Sequence, residues 1–231
     1  MNTNTLPQNT FSLPEIGNHI VQVCQNEISQ VETVTQFVKE GLENDEGVVI
    51  IARPALRKAV ISKLDALGLD VHAFKSQGQI KFFDAEFLLS GFLIDGVLDE
   101  QAFQQFVISP VLPIQLKFGK IRAFGVMVDM LWKNGHHDLA IELEGWWNNL
   151  LSDKHELMVL CTYLLDSLDP NNYDNSLERI CKCHTHSLPI NSFNPVVGGE
   201  MLELFGAAWS NVVSKIKESN NISNPITDAL I

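Results

Sequence analysis

The stretch GVVIIARP, at positions 47–54, decides the fold class of this chain. Its apolar residues follow one another without a polar break, and most of them are β-branched. Such a run is typical of a central strand in a parallel sheet, because helices cover that strand on both faces. Pro54 suits the first position of a helix, so the stretch predicts a strand followed directly by a helix.

Helical patterns flank this strand on both sides. On its carboxyl side an apolar stripe ends at Gly68, which suits the position just after a helix. On its amino side a second stripe follows HIVQVC at 19–24, a short run typical of a strand. The two stripes consist of Leu56, Val60, Leu64 and Leu67, and of Ile28, Val31, Val38 and Leu42.

The same alternation continues to about position 165. Further strands are predicted at VHAF (71–74), QIKFFDA (79–85), the start of KIRAFGVMVDMLW (120–132) and ELMVLCTYLL (156–165). Further helices are predicted at DEQAFQQFVI (99–108), broken by Pro110 and Pro113, and at NGHHDLAIELEGWWNNLLS, with Leu139, Leu143, Trp146 or Trp147 and Leu150 facing inward. We therefore expect a three-layer α/β fold with a mainly parallel sheet and helices on both faces.

This pattern divides the chain into three parts. We expect a flexible leader over residues 1–16, the α/β domain over 17–192, and a C-terminal amphipathic helix and tail over 193–231. The helix is predicted over 200–217, because apolar residues recur there at helical spacing. These residues are Leu202, Phe205, Trp209, Val212 and Ile216.

Composition and charge argue against several functional classes. The chain is 45% hydrophobic and 19% charged, which is typical of a globular protein. Asp and Glu outnumber Lys and Arg by 28 to 16, so we expect no direct binding of nucleic acid and no adhesion to an anionic membrane. No stretch reaches the ~18 apolar residues of a membrane span, and the N-terminus lacks a signal-peptide pattern. We expect a cytoplasmic protein with reduced cysteines.

Motifs of common enzyme classes are missing from the sequence. It contains neither GxxxxGK[ST] nor GxGxxG after a predicted strand, and neither GxSxG nor HExxH. An enzyme remains an alternative, either a degenerate nucleotide-binding one or one that uses Cys24 or Cys161 with a nearby histidine.

Two cysteines and two histidines lie close together in CKCHTHSLP, at positions 181–189. Zinc accepts sulfur and imidazole ligands, but structural zinc sites usually take ligand pairs with other spacings from separate segments. We therefore predict no metal site here, with Cys181 and Cys183 mostly packing. His184 and His186 are predicted to bind a ligand or to form structural hydrogen bonds.

Ligands of parallel sheets bind beyond the carboxyl ends of the strands. Residues near those ends are therefore further candidates, namely Arg53, Asp84, Tyr163, Cys24 and Cys161. Arg53 is notable because a guanidinium can bind a carboxylate with two parallel hydrogen bonds.

Several stretches together resemble the MEDS family, a prokaryotic sensory domain, over about residues 17–190. They are HIVQ, GLENDEGVVIIARPALRKAV, LGLDVHAF, GQIKFFDAEFLLSGFLIDG, IRAFGVMVDMLWKNGHHDLAIELEGWWNNL, LCTY and ICKCHTHSLP. The resemblance implies a RecA/KaiC-like fold without a phosphate-binding loop. It also implies that the domain senses hydrocarbon derivatives and is often fused to histidine kinases or regulators. The family's recurring polar positions correspond to His19, Arg53, Asp84, His184 and His186. Val126 replaces an acid usual in the family, and Thr185 replaces a serine.

From residues and resemblance together we expect a non-catalytic sensory domain without a cofactor or a metal. Its expected partners are a small organic ligand and a separate kinase or regulator, or a second copy bound through the 200–217 helix. A protein-interaction scaffold is a further alternative. The predicted ligand site comprises His19, Arg53, Asp84, Tyr163, His184 and His186.

Overall fold

A parallel sheet forms the centre of the computed structural model, which describes residues 18–153, 156–164 and 179–187. Its strand order is β3-β2-β6-β7-β1-β8, and every pairing is parallel. Strands β4 and β5 form a separate antiparallel pair. The strands are β1 (Asn18–Cys24), β2 (Gly47–Ala52), β3 (Ile80–Asp84), β4 (Leu93–Ile94), β5 (Val97–Leu98), β6 (Ile121–Gly125), β7 (Leu157–Leu164) and β8 (His186–Ser187).

Helices cover both faces of the sheet. They are α1 (Glu27–Glu43), α2 (Pro54–Ala66), α3 (Val71–Ser76), α4 (Ala85–Phe92), α5 (Glu100–Phe103), α6 (Leu112–Phe118), α7 (Met127–Lys133) and α8 (His137–Asp153). A π-helical turn, Gln104–Ile108, follows α5. On one face Gln30 of α1 donates to the Thr162 hydroxyl, and on the other Tyr163 donates to Glu144 of α8. The predicted three-layer α/β fold is confirmed.

The stretch that predicted this fold is the second strand in the order. All six residues of β2 are buried, because the strand pairs with β3 on one side and β6 on the other and is covered on both faces. Pro54 begins α2, as predicted, and Gly68 adopts the left-handed φ of 84° after that helix. The apolar character of both faces of this strand therefore indicated its position in the middle layer.

Some local predictions were wrong. VHAF lies in α3 instead of a strand, because the Asp70 side chain accepts a hydrogen bond from the Ala73 amide and caps a helix there. Ile28 is 72% exposed and Leu67 53% exposed, so neither belongs to its predicted buried stripe. Pro113 is the second residue of α6 and does not break a helix.

Parts of the expected organisation lie outside the described residues. The leader at 1–16 and the amphipathic helix at 200–217 fall in this category. Within the described ranges, no helix combines the length and the apolar character that crossing a membrane requires.

Candidate functional site

Five buried polar side chains meet between the sheet and α8. They belong to His19, Glu144, Cys161, Tyr163 and His184, which we call the buried cluster. The parallel pairing of β1 with β7 sets Val21 beside Cys161, so alternate residues of both strands share the face beneath α8. The helix α8 contributes the Glu144 side chain, and the segment 179–187 at the edge of the sheet contributes that of His184.

Glu144 lies at the centre of the buried cluster. Its Oε1 accepts a hydrogen bond of 2.6 Å from the Tyr163 hydroxyl, and its Oε2 accepts one of 3.2 Å from the Cys161 thiol. The Nε2 atom of His19 lies 3.1 Å from Oε2, and that of His184 lies 3.4 Å from Oε1. Two imidazoles, a thiol and a phenol thus surround one carboxylate that is shielded from water.

Backbone carbonyls hold both imidazoles in one orientation. Nδ1 of His19 lies 2.7 Å from the Cys183 carbonyl oxygen, and Nδ1 of His184 lies 2.6 Å from that of Ile180. A carbonyl oxygen only accepts hydrogen bonds, so each Nδ1 carries the proton. The Nε2 atoms therefore face the carboxylate as lone pairs in the neutral rings, and the two rings stack with centroids 4.0 Å apart.

Burial shifts the pKa values of the side chains in the buried cluster. It lowers the pKa of His19, and nearby His184 lowers it further, although Glu144 opposes both effects. Burial alone would raise the pKa of Glu144, but the nearby imidazoles of His184 and His19, when they carry a positive charge, outweigh it and hold that pKa below its ordinary range. Burial and the Glu144 charge raise the pKa values of Cys161 and Tyr163 well above normal.

The cluster combines two kinds of chemistry. The Cys161 sulfur lies 3.5 Å from Nε2 of His19, which is the pairing that cysteine nucleophiles use. A raised thiol pKa and complete burial oppose that role, because the thiolate is the nucleophile and has to reach a substrate. The imidazoles, carboxylate and sulfur together form a set of ligands suited to a borderline metal ion.

The structure separates the predicted ligand residues into two groups. His19, Tyr163 and His184 meet in the buried cluster. Arg53 instead directly follows β2, and Asp84 is the last residue of β3, where it caps α4 by accepting from the Phe87 amide.

His186 is the first residue of β8, and its backbone pairs with Ile20 of β1. Ile180 and Cys181 are buried and Cys183 is half-buried, in agreement with a packing role for these cysteines.

Glu144 and Cys161 complete the cluster but were absent from the predicted ligand set. Glu144 carries a usable signal, because it occupies the same helical stripe as Ala140, Leu143 and Trp147, which are buried. A charge within an apolar stripe needs a buried partner. That pattern in IELEGWW points to a buried site, whereas Cys161 looks like an ordinary strand residue.

A comparison with protein families gives a match that spans the whole cluster. Residues 18–185 match the model of the MEDS family, described as the MEthanogen/methylotroph, DcmR Sensory domain. A search of curated proteins gives no match. The family match covers well over half of the chain and extends from the residue before His19 to the residue after His184. The chain therefore belongs to the MEDS family of sensory domains.

Proposed function

We propose that this chain is a cytoplasmic, non-catalytic sensory domain whose sensing site is the buried cluster and whose output passes to a separate protein. One observation carries the proposal. The cluster joins the first strand of the domain to its last described segment, because His19 and His184 both contact Glu144. A change at Glu144 therefore acts on both ends of the domain together.

The ligand that we propose is a small organic molecule. An apolar cavity lies on the cluster face of the sheet, beneath α8, and its lining includes Val49, Ile51, Ala123 and Trp147. Trp147 follows Glu144 by three residues, so one helix contributes to both the cavity and the cluster. The cavity has a volume of only about 20 Å³, roughly the space of one water molecule, so a ligand with an apolar body and a polar or metal-bound end would have to widen it on binding.

The segment 179–187 is the proposed route of the signal. It is held to β1 by the two-residue pairing of β8 and by hydrogen bonds between His19 and Thr185. His184 lies within this segment, so loss or gain of its contact with Glu144 would change the stability of the segment. The residues that follow it in sequence would carry this change to a partner kinase or regulator.

Hydrogen exchange of the full chain tests this proposal. The probes are short-chain alcohols, amines and thiols, first selected by a rise in melting temperature. A binding probe is expected to slow amide exchange in 179–187 and at the start of β1. His184→Gln should abolish that effect, and the control His136→Gln, at an exposed histidine, should keep it. Protection confined to the loops after β2 and β3 would refute the cluster as the sensing site.

A further inference from the structure

The ligand atoms of the buried cluster are arranged as a metal-binding site. We infer that the chain binds a divalent transition-metal ion of the zinc type through Nε2 of His19, Nε2 of His184, the Glu144 carboxylate and the Cys161 sulfur. These four atoms lie within 4.8 Å of one another. The inference takes the location of the site from the proposed function and adds the class of ligand.

The orientation of the imidazoles is the first argument. Metal-binding histidines usually donate their other ring N–H to a carbonyl or carboxylate, which fixes the tautomer and directs the lone pair at the ion. His19 and His184 both do so, through the carbonyls of Cys183 and Ile180. Nε2 of His184 is buried, and among the described residues it has no partner in hydrogen-bond geometry, although Oε1 of Glu144 lies 3.4 Å away. A buried lone pair of this kind lacks compensation unless a proton or a metal ion meets it.

The spacing of the ligand atoms is the second argument. Zinc bond lengths place the ligands of a tetrahedral site about 3.3 Å apart for nitrogen and oxygen pairs, and about 3.6 Å apart for nitrogen and sulfur. Nε2 of His19 lies 3.1 Å from Glu144 and 3.5 Å from the Cys161 sulfur. Nε2 of His184 lies 3.4 Å from Glu144. Nε2 of His19, the Cys161 sulfur and Oε2 of Glu144, which lies 3.2 Å from that sulfur, are thus close to three edges of a coordination tetrahedron. His184 contacts the other carboxylate oxygen, Oε1, and the full set of ligand atoms extends to 4.8 Å, so His184 has to shift toward the ion on binding.

Charge balance is the third argument. Two neutral imidazoles, one carboxylate, one thiolate and a divalent cation sum to zero, so the loaded site buries no net charge. Binding releases the Cys161 thiol proton to solvent. The Tyr163 hydroxyl already donates to Oε1 of Glu144, as outer partners of metal-binding carboxylates do.

The position of the site links metal binding to the segment 179–187. All four ligand residues are buried, so an ion enters only when a covering element moves. The segment that carries His184 is joined to the sheet by the two-residue strand β8. Ion binding would therefore hold this segment to α8 and β1, because residues of all three would bind the same ion.

Metal analysis and cobalt spectroscopy of the full chain test the inference. The chain is purified after growth with added zinc, and its metal content is measured by elemental mass spectrometry. We expect about one ion per chain. The metal-free protein is then titrated with Co²⁺ alone, which should give the intense visible bands of a tetrahedral site and a sulfur-to-cobalt charge-transfer band.

Matched variants assign the ligands. Cys161→Ser should lose the charge-transfer band, whereas Cys24→Ser, at another buried free cysteine, should keep it. His184→Gln should weaken Co²⁺ binding by at least about tenfold, whereas His136→Gln should not. If a variant fails to fold, the wild-type spectrum still decides whether a thiolate binds the ion. Absence of tightly bound metal together with an aqueous-type Co²⁺ spectrum would overturn the inference and leave a protonated histidine–carboxylate pair.

The same samples separate this inference from the proposed function. If no metal binds but organic probes still protect 179–187, the metal inference fails and the sensory site stands. If metal binds with the expected spectrum but neither metal nor probes alter exchange in 179–187, the ion is structural and the proposed sensing function fails.

Discussion

His19 and Thr185 are joined by hydrogen bonds although 166 positions separate them in the sequence. The His19 amide donates to the Thr185 hydroxyl at 2.9 Å, and the Thr185 amide donates to the His19 carbonyl at 2.8 Å. Because Thr185 follows His184, these bonds hold the second imidazole beside Glu144. The pair therefore connects the first strand of the domain to the histidine that completes the cluster.

Removing the Thr185 hydroxyl should loosen this connection. Thr185→Ala leaves the buried His19 amide without its acceptor, so we expect a loss of about 1–2 kcal/mol in the free energy of unfolding. Amide exchange in 179–187 should also accelerate. Thr185→Ser keeps the hydroxyl and should behave like the wild type in urea denaturation and in exchange. An equal loss in both variants would show that the methyl group, and not the hydrogen bond, stabilises the segment.

Asp84 should act through its helix cap. Asp84→Ala removes the acceptor of the Phe87 amide and should destabilise the protein by about 1 kcal/mol. Asparagine caps a helix about as well as aspartate, so the free energy of unfolding of Asp84→Asn should remain within a few tenths of a kcal/mol of that of the wild type. Thermal denaturation measures both. Loss of probe-induced protection in Asp84→Asn would show that its charge contributes to ligand binding, as the sequence predicted.

Arg122 should be the most sensitive ion-pairing residue tested. It is 6% exposed and bonds to Glu46 and Glu40 on the α1 face of the sheet. Arg122→Met leaves two partly buried carboxylates unpaired, so we expect a loss of about 3 kcal/mol. The control Lys63→Met breaks an exposed pair with Glu32 and should cost less than about 1 kcal/mol in urea denaturation. Equal losses would contradict this ranking.

Cys24 should make the stability depend on pH in alkaline solution. Burial raises the pKa of its thiol from 9.0 to about 12, so the folded state keeps a proton that the unfolded state loses. Its contribution is complete below the unfolded pKa and is lost as pH rises toward the folded pKa. Between about pH 9 and 11, wild-type stability should fall more steeply than that of Cys24→Ala, by about 1.4 kcal/mol per pH unit. Parallel curves in urea denaturation would contradict the shift.

The thiols should react slowly at neutral pH. Burial raises the pKa of Cys183 to about 11, and Cys24 and Cys161 are buried with raised pKa values. Iodoacetamide should therefore label the native chain much more slowly than the urea-unfolded chain, as followed by peptide mass spectrometry. Fast, selective labelling of Cys161 at neutral pH would favour the cysteine-dependent enzyme that the sequence left open.

Most strands could be predicted because each is a local pattern. Two-sided apolar runs marked β2 and β7, and Pro54 and Gly68 marked both ends of a helix. The prediction of a strand at VHAF was wrong, because four apolar-rich residues do not distinguish a strand from a short helix. The cap formed by Asp70 decided in favour of the helix. The prediction that Ile28 is buried was wrong, because helical spacing identifies the residues on one face of a helix but not whether another element covers that face.

By itself, the sequence determined the alternation of strands and helices, the parallel sheet and the resemblance to the sensory family, because these depend on local periodicity and residue order. Only the tertiary structure decided that Glu144 meets His19, Cys161 and His184. That meeting depends on the register of β1 against β7 and on where α8 and the segment 179–187 pack. Register and packing arise from contacts between distant positions, so no local pattern contains them.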